Sequence, residues 1–173
     1  AGNGRTDIGA VEINPVCFAT PNNGASSFRS ESSQAVQIAV DTLGASGGTV
    51  KVAGVCAGVE TRNGVRQVAL LAANLTLEGG WNSTFSVHDP ANQPTILDAA
   101  NGGRVLYLRG SNTVQVRDLA LVNGNALGLA GETLSDQNSG GGVYVGTGIN
   151  ATMINTQIMS GTAPFHGGGI YNT

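Results

Sequence analysis

Gly140-Gly141-Gly142-Val143-Tyr144 returns as Gly167-Gly168-Gly169-Ile170-Tyr171, an offset of 27 residues. Self-similarity at a period of roughly 20 to 50 residues marks a repeat architecture, in which each unit buries its apolar face only against its neighbours. Gly102-Gly103-Arg104-Val105-Leu106-Tyr107 reads as an earlier, degenerate copy of the same unit. Leu121-Val122-Asn123-Gly124-Asn125-Ala126 corresponds to Ile158-Met159-Ser160-Gly161-Thr162-Ala163 in the next copy. The wider gap between the first two copies is accounted for by a polar insertion over 127–139. With that insertion set aside the spacing is again about 25, inside the range of such repeats.

Between these landmarks run short β-type segments separated by Gly and Asn. Examples are Thr49–Ala53, Leu75–Glu78, Val105–Leu108, Leu119–Leu121, Val143–Val145 and Ala151–Ile154. Three short strands per period suit one turn of a parallel β-helix, where strands rising about 3.3 Å per residue stack about 4.8 Å apart. Composition agrees with a turn-dense β protein. There are 27 Gly residues without a Gly-X-Y period, and 40% hydrophobic residues beside only 11% charged ones, which argues against collagen and against disorder. The expected fold class is therefore all-β: a right-handed parallel β-helix (β-solenoid) with an N-terminal amphipathic capping helix.

That helix is expected over Ser30–Leu43, where Val36, Ala39, Val40 and Leu43 form one apolar face. Ser30 or Ser32 suits the N-cap, and Gly44 the position just past the end. Ahead of it, Cys17 to Arg29 reads as polar and turn-rich. Asp7-Ile8-Gly9-Ala10-Val11-Glu12-Ile13 reads as a short strand ended by Pro15. The chain thus divides into an extension over 1–15, a capping region over 16–48 and stacked strand layers over 49–173.

The GGGVY and GGGIYN units, the NGNA and SGTA turns, and PTILDAANGGRVLYL (94–108) resemble secreted bacterial right-handed β-helix repeat proteins of the pectate-lyase-like class. LTLEGGWN (75–82) and the QAVQIAV to GGTVKVAG entry (34–54) are similar to the capping region of those proteins. RTDIGAVEI (5–13) looks like the closing strand that ends such folds, here at the opposite terminus. The resemblance speaks to fold and leaves function open, since such repeats occur in adhesins, surface arrays and polysaccharide-active enzymes.

The net charge of −3 and eight scattered Lys and Arg residues argue against nucleic acid as a partner. No apolar run approaches a membrane span. The chain starts at Ala1 without Met or a leader, so either a signal peptide has been removed or this is part of something longer. Cys17 and Cys56 are too few for a zinc site. A disulfide is expected, with two buried free thiols as the alternative; the bridge would contribute roughly 4 kcal/mol and place the protein outside the reducing cytosol. Asn74, Asn82 and Asn150 open N-x-[ST] sequons, at a frequency chance alone supplies.

Candidate chemistry is sparse. Asp98 and Asp118, with Arg104 and Arg117, are a conceivable carboxylate–arginine cluster, and His88-Asp89 a conceivable ligand or acid–base pair; turn and surface roles are expected for all of them. His166 reads as a turn residue. Trp81 could offer a sugar platform with the tyrosines, yet Tyr144 and Tyr171 occupy equivalent positions and are expected to stack. No catalytic residue, cofactor or metal is expected.

The expected role is that of a structural extracellular protein, not an enzyme, which assembles head to tail with copies of itself into a filament or surface layer. The assembly strand (Asp7, Ile8, Ala10, Val11, Ile13) of one copy would complete the open end (Gly169, Ile170, Tyr171) of the next. A different class of function is an adhesin or carbohydrate-binding module that recognises surface polysaccharide, and a third is a polysaccharide lyase or hydrolase domain.

Overall fold

Alternating apolar residues decide which side of each strand meets the core. In the computed structural model, which describes residues 16–22 and 26–173, three inward rows result. Val50 of β3 (Gly48–Ala57) pairs with Leu77 of β6 (Leu75–Glu78), then Val116 of β9 (Thr113–Arg117), then Met153 of β12 (Asn150–Ile154). Cys56 of β3 pairs with Leu97 of β7 (Ile96–Asp98), Leu121 of β10 (Ala120–Val122) and Ile158 of β13 (Gln157–Met159). Leu71 of β5 (Val65–Leu71) pairs with Leu108 of β8 (Arg104–Leu108) and Val145 of β11 (Val143–Val145), and β14 (Ile170–Asn172) follows. All these pairings are parallel. Each fully buried Val or Leu in a row contributes about 1.5–3 kcal/mol of transfer free energy.

The expected fold class is corrected by this topology. The strands gather into two hydrogen-bonded sheets, one of nine and one of five strands, that curve as a half-barrel; the arrangement is mixed α/β-like, not an all-β right-handed solenoid. The reason lies in β3. It runs ten residues without a break, pairing with β6 through Gly48–Lys51 and with β7 through Val55–Ala57, so two rows share one sheet. Gly54 makes this continuity feasible: its φ of 80° turns the strand, and a Cβ there would strike the Val16 carbonyl.

Antiparallel pairs and the helix α1 (Gln34–Leu43) frame the amino-terminal side. β1 (Cys17–Pro21) lies between β2 (Phe28–Ser30) and β3, so the stretch expected to be turn-rich carries strand at both of its ends. That pairing holds Phe28–Ser30 extended, and the helix therefore begins at Gln34, later than expected. Its cap is Ser33, without a side-chain bond, and Ser32 Oγ accepts from Gln34 N at 3.3 Å. Val36, Ala39, Val40 and Leu43 are buried as the periodicity implies. Cys17 and Cys56 are joined by a disulfide, Cα to Cα 4.6 Å, inside the core.

The triple glycines recur because successive layers approach too closely for side chains. Gly140 and Gly167 take left-handed φ values of 69° and 57°. A Cβ on Gly141 would collide with the Thr162 carbonyl, and one on Gly142 would come within 2.5 Å of the Gly169 carbonyl oxygen. Asn123 and Asn155 also adopt left-handed corners, and their amides donate to Asp98 and Asp118 one layer away, at 2.9 and 2.7 Å.

Candidate functional site

Three places gather polar or apolar groups beyond what the core needs. The first is the strand edge formed by β12, β13 and β14, each of which ends its row and pairs on one side only among the described residues. Ile154, Met159 and Ile170 are 43–46% exposed there, and Phe165 of the preceding turn 61%. A groove of about 430 Å³ opens between the rows, lined by the apolar Val145, Ile149, Ala151, Met153 and Ile170 together with Asn150 and Asn172. The expected open-end residues Gly169, Ile170 and Tyr171 stand at this edge. A Cβ on Gly169 would meet nothing closer than Ile158 at 3.8 Å, unlike Gly142 one layer inside. No Asp, Glu, Lys or Arg occurs from 137 to 173, so the edge lacks the charges that usually deter strand pairing.

The second place lies on the outer face of the nine-stranded sheet. Lys51, Glu78 and Arg117 sit in register on β3, β6 and β9 and alternate in charge. The connection after β6 folds back through a bridge between Trp81 and His88, which carries His88 over the row. His88 Nε2 lies 3.1 Å from the Gly79 carbonyl and 3.4 Å from Asp118 Oδ2. Arg117 Nε lies 3.2 Å from Glu78 Oε1 and 3.7 Å from Asp118 Oδ2. The other oxygen of each carboxylate is held by a neutral donor: Trp81 Nε1 donates to Glu78 Oε2 at 3.0 Å, and Asn155 Nδ2 to Asp118 Oδ1 at 2.7 Å. Lys51 Nζ stands 3.8 Å over the Trp81 ring, and His88 lies 4.8 Å from it, so the indole is committed within the cluster.

The third place is the insertion, packed over the row Tyr107, Tyr144 and Tyr171, whose rings stand 5.1 and 5.5 Å apart. Arg104 is fully buried beneath it. Its Nε and Nη1 donate to the carbonyls of Ser139 and Ala130 at 3.0 and 2.8 Å, and its guanidinium lies 4.6 Å from the Tyr144 ring. Burial lowers the Arg104 pKa, against the nearby tyrosines and Asp136, which raise it. Tyr144 donates to Asp136 Oδ2 at 2.7 Å and accepts from Glu132 N at 2.9 Å. Burial, with the Asp136 bond, raises the Tyr144 hydroxyl well above its ordinary value. For Asp136, burial acts upward, but the hydrogen bonds from Tyr144 and Thr133 outweigh it and hold the carboxyl below its usual range. These contacts hold the insertion against the tyrosine row.

The sequence-derived candidates distribute as follows. Asp98 bonds Ala100 N and Asn123, Arg104 faces the tyrosines, and only Arg117 and Asp118 of that conceivable cluster meet. His88 engages Asp118, while Asp89 turns to Asn92, whose amide lowers its pKa. His166 stacks on Tyr171 at 5.8 Å. Of the sequon asparagines, Asn82 uses its carboxamide to fold its own loop onto Ser86 and Val87, Asn74 Oδ1 accepts from Thr113 N, and Asn150 is exposed on β12. The assembly strand Asp7, Ile8, Ala10, Val11 and Ile13 lies outside the described residues. Glu78 was missed altogether, although its register with Lys51 and Arg117 is the signal that places it.

No family model matches the chain, and no curated protein or solved structure does either.

Proposed function

We propose that this chain is a structural, extracellular protein that associates head to tail with copies of itself through the edge of β12, β13 and β14. In the assembly, residues 1–15 of one copy supply the strand that pairs with this edge of the next. The supporting observation is the combination found there: three strands that each pair on one side only among the described residues, partly exposed Ile154, Met159 and Ile170, and no charged residue from 137 to 173. Unpaired backbone flanked by apolar side chains and free of charge is a template for strand addition. The buried Cys17–Cys56 bridge supports an oxidising compartment.

Electron micrographs of the purified chain are expected to show linear assemblies that grow with concentration. Deleting residues 1–15, or introducing a charge by Ile170→Lys, is expected to leave monomers. Compact particles at every concentration, or assemblies unchanged by both alterations, would overturn the proposal.

A further inference from the structure

Glu78, His88 and Asp118 come from three separate segments: the end of β6, the connection after it, and the corner between β9 and β10. One ligand atom of each lies within 4.8 Å of the others. Ligands around a tetrahedral ion at about 2.1 Å stand about 3.4 Å apart, and the His88 Nε2 to Asp118 Oδ2 distance is already 3.4 Å.

Three features make this more than a meeting of charges. Each carboxylate has one oxygen fixed by a neutral donor, Trp81 for Glu78 and Asn155 for Asp118, while the second oxygen of Asp118 faces the imidazole and that of Glu78 faces Arg117. Outer partners of this kind orient metal ligands. The present counter-charge, Arg117, serves the carboxylates poorly: its Nε is a buried atom that makes no well-directed hydrogen bond. Its side chain is 39% exposed and can swing away into solvent. The imidazole selects against calcium and magnesium, which prefer oxygen-only shells.

We propose that Glu78, His88 and Asp118 bind a divalent first-row transition ion of the zinc type, which displaces Arg117 and clamps the 79–95 connection onto the sheet. The remaining positions around the ion would fall to water or to the Gly79 carbonyl beside His88.

The test uses the full chain, stripped with a chelator and titrated with zinc chloride in a calorimeter, with cobalt(II) absorption as a second readout. One equivalent is expected to bind. His88→Ala and Glu78→Gln are expected to weaken binding by at least about tenfold, and His166→Ala to leave it unchanged. Glu78→Gln keeps an oxygen for Trp81 and so preserves the fold if His88→Ala does not. Arg117→Gln, which removes the competing cation, is expected to tighten binding. Absence of binding at millimolar zinc, stoichiometric binding indifferent to His88→Ala and Glu78→Gln, or weaker binding in Arg117→Gln would overturn the assignment.

Discussion

The two ends of the strand rows are treated in opposite ways. At the amino-terminal end the rows that start in Val50–Gly54 of β3 and in β5 are covered. β1 pairs along β3, β4 (Glu60–Arg62) folds antiparallel onto β5, and the Gln37 side chain serves as a further strand by accepting from Leu70 N at 2.7 Å and donating to its carbonyl at 3.3 Å. The helix closes the apolar cross-section, and a disulfide ties the cover to β3. At the other end β12, β13 and β14 have no charge and, among the described residues, no cover, and their side chains are partly or fully exposed where those of β5 (Arg66 apart), β8 and β11 are buried. The lesson is that parallel rows need a dedicated device at each edge, and here only one edge carries its device within the described residues.

The covered end should be the costlier one to disturb. Replacing Cys17 and Cys56 together by alanine opens a bridge with a sequence separation of 39. The expected loss is roughly 4 kcal/mol in the chain-entropy account, read as a lower midpoint in urea unfolding. A stability unchanged by the double replacement would mean that β1 is held by strand pairing alone.

A glycine pair sharpens the contrast between interior and edge. Gly142→Ala forces a methyl against the Gly169 carbonyl and Ile158, with an expected cost of about 2 kcal/mol. Gly169→Ala meets only Ile158, at ordinary contact distance, and should change the stability of the isolated chain by less than about 0.5 kcal/mol. If a second copy stacks on that edge as proposed, the same Gly169→Ala change should impair association, because the methyl then faces a neighbouring layer. Sedimentation beside thermal unfolding separates the two effects.

A smaller effect than that of Gly142→Ala concerns the insertion over the tyrosines. Asp136 is held below its ordinary value of 3.8, so its contribution is fully present above that pH and is lost as pH falls through the lower folded value. Tyr144→Phe removes the hydroxyl that Asp136 and Glu132 N share, with an expected cost of about 1–1.5 kcal/mol near neutrality. Limited proteolysis within 127–139 should then begin at a higher pH in the variant. Identical acid profiles would show that packing on the rings, not this hydrogen bond, fixes the insertion.

Much of the layering was legible in the residues themselves. The Gly140–Tyr144 and Gly167–Tyr171 units are adjacent paired strands, in register Tyr144 to Tyr171, and the apolar face of α1 is the buried one. Glycine triplets announce close backbone approach, and a four-residue apolar spacing announces a helix face; both are local signals. The merging of two rows into one nine-stranded sheet was not legible, because Gly54 reads as a turn residue whether it ends a strand or merely bends it. β1 and β2 were hidden for a related reason. They are only five and three residues long, and what makes them strands is pairing, of β1 with the edge of β3 and of β2 with β1, which no local pattern reveals. The cluster of Glu78, His88 and Asp118 depends on a 17-residue connection folding back on itself, and the spacing of its members in the chain carries no period.

The segment from 137 to 173, lacking any acidic or basic side chain apart from the imidazole of His166, has a consequence for how the molecule meets its surroundings. Contacts made there answer to water structure more than to ionic atmosphere. Dilute salt, which mutes attraction and repulsion between ions, has little there to mute, whereas sulfate or phosphate at high concentration strengthens such contacts by exclusion from apolar surface. The association proposed for this edge would therefore respond little to dilute salt and strengthen in concentrated sulfate.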